Sequence, residues 1–401
     1  MHVAVLGAAG TIGPAIVADL GRSEEVSELV LCDLHRDQAE TVAAEHGFGK
    51  ARGVAADARA ARGEPGSLTE AIGGCDVLVN SASYRFNLAA MEACLEAGCH
   101  YLDLGGLYRI TSRQLDTFSP SGADRFVDAG LLAVLGIGSA PGKTNLMGAV
   151  AKRELGDVDS MHVSAGGRDL DPPDGFSVPY ALQTLIDELT LPPVVIRDGA
   201  PAEIEPLSGG GVVEFGDPIG DAEAIYTLHS EMLTFGDSFG CREASFRLSL
   251  APRLLTRLRE LAAAPPAEIE RAAAEASPPS ASTVSVHLVE ASGRGRSARV
   301  RSVTTPVEGF GIGGSVMSTA APAAATVRLL ARGRIEARGV LPPERCIDPD
   351  EMFAELEQRG SRFDVEVSDG RPGGDRAAPG RMGASPPRPP STPASPEEAA
   401  R

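Results

Sequence analysis

The feature that most constrains this chain is a glycine loop set between an apolar run and a helix-forming stretch. His2-Val-Ala-Val-Leu6 reads as a strand, leads directly into Gly7-Ala-Ala-Gly10-Thr-Ile-Gly13, and is followed by a predicted helix over Ile12–Leu20. Each glycine has its own physical task. Gly7 permits a tight turn, Gly10 lets backbone approach a bound anion, and Gly13 lets helix and strand pack closely. The unpaired N–H groups of the helix's first turn, together with its dipole, favour a diphosphate there. The second predicted strand, Glu28–Asp33, ends on a carboxylate placed to accept hydrogen bonds from adenosine ribose hydroxyls. That carboxylate repels a 2′-phosphate, so NAD is the expected cofactor and NADP the less favoured one, with Arg36 as a moderating charge. The spacing is GxxGxxG rather than GxGxxG, so the reading rests on strand, helix and acid together. The expected cofactor residues are Gly7, Gly10, Thr11, Ile12, Gly13 and Asp33, with Asp57 as a contact to the adenine.

The rest of the chain fits an α/β class: a Rossmann-type doubly wound parallel sheet, then a second α+β substrate domain. Over 1–135, short apolar runs alternate with helical stretches. Strands are predicted at Gly53–Ala56, Val77–Asn80, His100–Asp103 and Leu131–Leu135, besides the two above. Over 136–318, strands separated by Gly/Pro-rich loops predict one mixed sheet. Residues 319–369, with a helix near Pro322–Gly333, are expected to pack back on the first domain. Residues 370–401, rich in Pro, Gly, Ser and Arg, cannot bury enough apolar surface to offset ordering entropy and read as a disordered tail.

The formal charge of −18 argues against nucleic acid or an anionic membrane as partner, since both need a basic face. No basic region followed by an apolar stretch opens the sequence and no apolar run is long enough to span a bilayer, so a cytoplasmic protein is expected. The six cysteines form no CxxC pair and have no histidine at zinc-finger spacing. They read as reduced and mostly buried, with no metal site expected.

Several segments resemble the saccharopine dehydrogenase family, and within it the lysine 6-dehydrogenase-like branch. They include Cys75-Asp-Val-Leu-Val-Asn-Ser-Ala-Ser-Tyr84, Ala93-Cys-Leu-Glu-Ala-Gly-Cys-His-Tyr-Leu-Asp103 and Leu135-Gly-Ile-Gly-Ser-Ala-Pro-Gly142. Further on come Pro179-Tyr180, Asp187-Glu188-Leu-Thr, Tyr226-Thr-Leu-His-Ser-Glu231 and Ile335-Glu-Ala-Arg-Gly-Val-Leu-Pro-Pro-Glu344. The matches run in the family's order over roughly residues 1–360. Two stretches depart from it: Ser-Ala-Pro-Gly replaces the common Asp-Pro-Gly, and Phe246–Pro252 replaces an Arg-Tyr-Pro-Gly-His run.

The resemblance implies hydride transfer between a C–N bond and a nicotinamide. The amine must lose its proton before or during hydride departure. In a doubly wound sheet the ligand sits at the carboxyl ends of the strands, which adds Ser81, Ala82 and Ser83 to the expected cofactor residues. Asp103, Tyr84 and His229 are the expected catalytic residues, and Lys143 and Arg168 the expected clamp for a substrate carboxylate. L-lysine or a close ω-amino acid is the expected substrate, oxidised to the semialdehyde and its cyclic imine. The alternatives are saccharopine or carboxynorspermidine dehydrogenase, an NAD-dependent homospermidine synthase-like transferase, and, from another class, a non-catalytic dinucleotide sensor. The expected partners are thus a small amino acid or polyamine and a second copy of the chain.

Overall fold

The computed structural model describes residues 1–369; the predicted tail, 370–401, lies outside them. The first sheet is wholly parallel, in the order Gly339–Leu341, Leu132–Val134, His100–Asp103, Val77–Asn80, His2–Leu6, Glu28–Asp33, Ala51–Ala55. Helices cover both of its faces, so its strands are apolar at nearly every position rather than at alternate ones. Val3 and Val5 enter one buried cluster, while Ala4 and Leu6 enter the other. The chain reverses its direction of winding at His2–Leu6, between Glu28–Asp33 and Val77–Asn80, and this opens a crevice at the carboxyl ends of those strands.

The second sheet has nine strands and mixed pairing. Its main path runs Gly209–Glu214, Asp221–Tyr226, Glu243–Ser249, Ser160–Asp169, Thr283–Gly293, Arg296–Thr304, Ser361–Asp369, and the hairpin Val194–Arg197/Ala200–Glu203 joins it through Glu243–Ser249. Its reverse face is not bare. Val213, on strand Gly209–Glu214, and Phe215 just beyond it share a buried cluster with Val286 and Leu288.

The C-terminal part departs from the sequence expectation in two ways. Its helix spans Gly314–Ala331, with Pro322 inside rather than near its start. Gly314 begins it pressed onto the second sheet, where a Cβ would lie 2.4 Å from the Thr304 carbonyl oxygen. A proline reads from sequence as a helix boundary, but this helix is held by a fully buried alanine-rich face, Ala320, Ala321 and Ala323–Ala325 among it. The segment is also shared between the domains. Gly339–Leu341 adds a seventh strand to the first sheet, whereas Ser361–Asp369 becomes an edge of the second. Arg328 locks the helix to the nucleotide domain. It bonds Glu355 at 2.6 Å and, on helix Gly13–Gly21, Asp19 at 3.1 Å, all nearly without solvent. Among the described residues, no helix is long and apolar enough to cross a membrane.

Candidate active site

A cleft of about 1230 Å³ lies between the two sheets. Gly7, Gly10, Thr11, Ile12 and Asp33 line it from the first strand-loop-helix unit, and Ser81, Ala82, Ser83 and Tyr84 from the loop after Val77–Asn80. Gly7 has φ +73°, and a Cβ there would come within 2.7 Å of the Ala82 backbone nitrogen, so the two loops touch only because it is glycine. Gly13 does not line the cleft. A Cβ on it would strike the Ala8 carbonyl oxygen at 2.4 Å, so it closes the loop on its own helix. Helix Gly13–Gly21 starts with no side-chain cap and no acidic residue in its first turn. Asp33 accepts a bond from the Ala9 N–H at 3.1 Å, which fixes its carboxylate at the loop's edge. Arg36 is engaged by Glu40 at 2.7 Å. A helix start with no capping side chain and no acidic residue, a glycine turn pressed against Ala82 and a fixed acid at the second strand's end fit a dinucleotide. Asp57 lies off the cleft lining, bonded through its side chain to Arg59.

The structure gives Asp103 a different setting from the one expected. It is 1% exposed and does not line the cleft. Its oxygens accept from the Gly105 and Gly136 N–H groups at 2.9 and 2.8 Å, and from Gln114 and Asn87 at 2.8 and 3.2 Å. A carboxylate so surrounded ties together the loops that follow two strands and has no lone pair directed at a substrate. Lys143 also stays out of the cleft. It is fully buried, donates to the hydroxyls of Ser318 at 2.7 Å and Thr304 at 3.2 Å, and burial pulls its amine down to about 7. Arg168 does line the cleft and bonds the Pro218 carbonyl oxygen at 3.1 Å.

His229 lines the cleft at the centre of a buried cluster. Its ring stacks on Phe246 with centroids 3.5 Å apart, so the stretch that departs from the family pattern supplies the floor under the imidazole. Nε2 faces Glu188 at 3.8 Å and Nδ1 faces Glu231 at 3.4 Å. Glu231 accepts from Thr144 at 3.0 Å, and Glu188 accepts a short bond from Tyr180. Burial raises the Glu188 carboxyl above its ordinary range, only partly offset by His229 and Tyr180. Burial alone would lower His229, but Glu231 and Glu188 outweigh it and raise it. Both groups therefore hold a proton more tightly than they do in water, Glu188 because of burial and His229 because of the two carboxylates beside it. Sequence reasoning misses Glu188, Glu231 and Tyr180 as functional residues. The available signal was a carboxylate among Leu185, Ile186 and Leu189, the buried face of helix Leu182–Thr190. Tyr84 points not at the cofactor loops but at Asp187, 2.5 Å from its carboxylate.

Fold and site together define a two-domain protein with an NAD(P)-binding Rossmann domain and a second domain that closes a cleft over it. Residues 3–134 match the family model described as the saccharopine dehydrogenase NADP binding domain, and the chain carries that family's nucleotide domain, as the resemblance implied. A carboxyaminopropylagmatine dehydrogenase of Synechocystis sp. is 27% identical over 267 residues, a match spanning 65% of each chain. A carboxynorspermidine synthase of Vibrio alginolyticus is 30% identical over 100 residues, 23% of this chain and 24% of its own length. The fold is shared with the saccharopine dehydrogenase (L-Glu forming) of Saccharomyces cerevisiae, at TM-score 0.64 and 13% identity over 92% of this chain and 99% of that one. It is likewise shared with a homospermidine synthase of Legionella pneumophila solved with NAD, at TM-score 0.65 and 12% identity over 94% of each.

Proposed function

We propose that this protein is an NAD-dependent oxidoreductase acting on a carbon–nitrogen bond of a carboxylated amine. The observation that carries the reading is the buried Glu188–His229 pair, opening on the same cleft as the glycine loop. A bound nicotinamide supplies hydride acceptance or donation. The chain's own residues handle the proton. In the oxidative direction the substrate arrives as an ammonium ion, and the Glu188–His229 pair takes its proton, freeing the nitrogen lone pair. Glu231 stabilises the imidazolium that results, and Phe246 holds the ring's plane. In the reductive direction the pair returns the proton to nitrogen.

The substrate reading favours a longer amine than L-lysine. Arg168 and Arg253 line the cleft and form no ion pair with a carboxylate among the described residues, so both are free to meet a carboxylate of the substrate. The cleft also exceeds the roughly 300–1,000 Å³ that holds one drug-sized ligand, leaving room for a dinucleotide and a second extended molecule. The names of the two curated relatives point to carboxylated polyamines. Carboxynorspermidine should therefore support NAD reduction better than L-lysine, and L-lysine better than saccharopine, whose extra carboxylates need more cations. Side-by-side NADH formation with the three compounds tests this. Best activity with L-lysine would restore the shorter substrate, and a new amine formed without net NADH would identify a transferase.

Cofactor preference has its own test. Asp33→Ser should weaken NAD binding and narrow the gap to NADP, because it removes both the ribose acceptor and the charge that repels a 2′-phosphate. Paired titrations of wild type and variant check this; a wild type that uses both cofactors equally would contradict it.

A further inference from the structure

Helix Leu182–Thr190 is held from two sides. On one, the backbone carbonyl of Glu188 accepts from the Leu228 N–H at 3.2 Å, beside His229. On the other, the neighbouring Asp187 reaches across to the nucleotide domain. One oxygen of its carboxylate accepts from Tyr84 Oη at 2.5 Å and from Arg85 at 2.9 Å; the other accepts from Gln183, a turn earlier on the same helix, at 2.9 Å. Tyr84 and Arg85 begin directly after Ser81–Ser83, which border the cofactor end of the cleft. Burial and the Asp187 carboxylate push the Tyr84 phenol up to about 12, so it remains a donor throughout the working pH range. The side chain of Asp187 is 14% exposed, and at that depth a hydrogen bond to a charged group is stronger than one between neutral partners. The only other ion pair between these parts of the chain, Arg109–Glu203 among the described residues, is exposed on both sides and adds little.

We propose that Tyr84 and Arg85 are positioning residues: by clasping Asp187 they hold helix Leu182–Thr190 over the cleft and thereby keep Glu188 at His229. Successive residues on a helix point about 100° apart. Asp187 can therefore face the nucleotide domain while Glu188 faces the imidazole, and a shift of one carries the other. The inference rests on the reading of Glu188 and His229 as the proton-handling pair. It assigns Tyr84 a role through Asp187 rather than direct contact with substrate.

The test reads the imidazole itself and needs no substrate. In the full-length chain with selectively labelled histidines, the His229 signal is identified by its loss in His229→Gln, and its titration is followed by NMR. The charged and titratable groups that bear on it are Glu188, Glu231 and His287, with Tyr180 behind Glu188. Tyr84→Phe/Arg85→Met should lower the His229 midpoint by about half a pH unit or more, because Glu188 drifts from the ring. Loss of the Arg85 charge alone would raise the midpoint, so the sign separates geometry from charge. Tyr84→Phe/Arg85→Gln removes the same charge but restores a donor, and should recover at least half of the change. Arg85 is more than half exposed, so these variants are expected to fold. An unchanged or raised midpoint in Tyr84→Phe/Arg85→Met, with Glu188→Gln lowering it, would overturn the inference alone. If Glu188→Gln leaves His229 unmoved, the pair is not a pair, and both readings fall.

Discussion

Glu188→Gln is expected to reduce turnover by about 100-fold or more while leaving dinucleotide affinity nearly unchanged. Glutamine has almost the same shape and still accepts from Tyr180, so the local fold has little reason to move. What it loses is the ability to take a proton and to hold charge opposite His229. The imidazole keeps Glu231, 3.4 Å from Nδ1, so it is not orphaned. Its titration should nevertheless fall, because one of the two carboxylates that raise it has gone. For amine oxidation the wild-type rate should decline toward acid pH, where the pair is already protonated and cannot accept the substrate's proton. In the variant that decline should shift to lower pH along with the loss of rate. Steady-state kinetics across pH, with NAD binding measured separately, check both features. A variant with wild-type turnover would remove Glu188 from the chemistry and leave the cleft without its proposed base.

How legible each part was from sequence depended on whether its determinants are local. The tight turn at Gly7 and the acid Asp33 that ends Glu28–Asp33 are legible because each follows from a few adjacent residues. The parallel sheet was readable for the same reason, since Val3–Leu6 and Val77–Val79 are apolar at consecutive positions. The extra strand Gly339–Leu341 was not, because three residues after a loop carry no period of their own. Asp103 reads as catalytic because a carboxylate ending a buried strand needs partners. Those partners come from Asn87, Gln114 and Gly136, on elements whose convergence no local pattern announces. Glu188 is illegible for the opposite reason. Next to Asp187 it reads as half of a solvated acidic pair, and only the helix's orientation sends one carboxylate to the nucleotide domain and the other to His229. Arg253 lies in the first turn of helix Pro252–Ala262 and acquires meaning only because that helix borders the cleft.

Lys143 shows how far a default can mislead, and it yields the largest expected change in stability. A lysine at the start of a helix reads as a solvated charge or a ligand clamp. Here the amine lies at the centre of the fold, between helix Gly314–Ala331 and strand Arg296–Thr304, with two hydroxyls for company and no carboxylate. Burial draws its titration from 10.5 to about 7. In the unfolded chain the amine therefore stays protonated over a range in which the folded protein holds it neutral. Above about pH 10.5 both states are neutral and the lysine does not affect stability through its charge. As pH falls toward 7, folding must strip a proton that the unfolded chain keeps, and stability declines. Below about 7 the folded state takes the proton onto a buried site, and the full penalty is present, on the order of 4–5 kcal/mol from the gap between the two values. Lys143→Met fills nearly the same volume without a charge. It should be more stable than wild type by several kcal/mol at pH 6, less the two hydrogen bonds at about 1 kcal/mol each. That advantage should shrink steadily as pH rises from 7 toward 10. Denaturant unfolding of both proteins at matched pH values measures it. A variant that is less stable at pH 6, or whose advantage does not change with pH, would mean that the amine is already paired or hydrated in the folded protein.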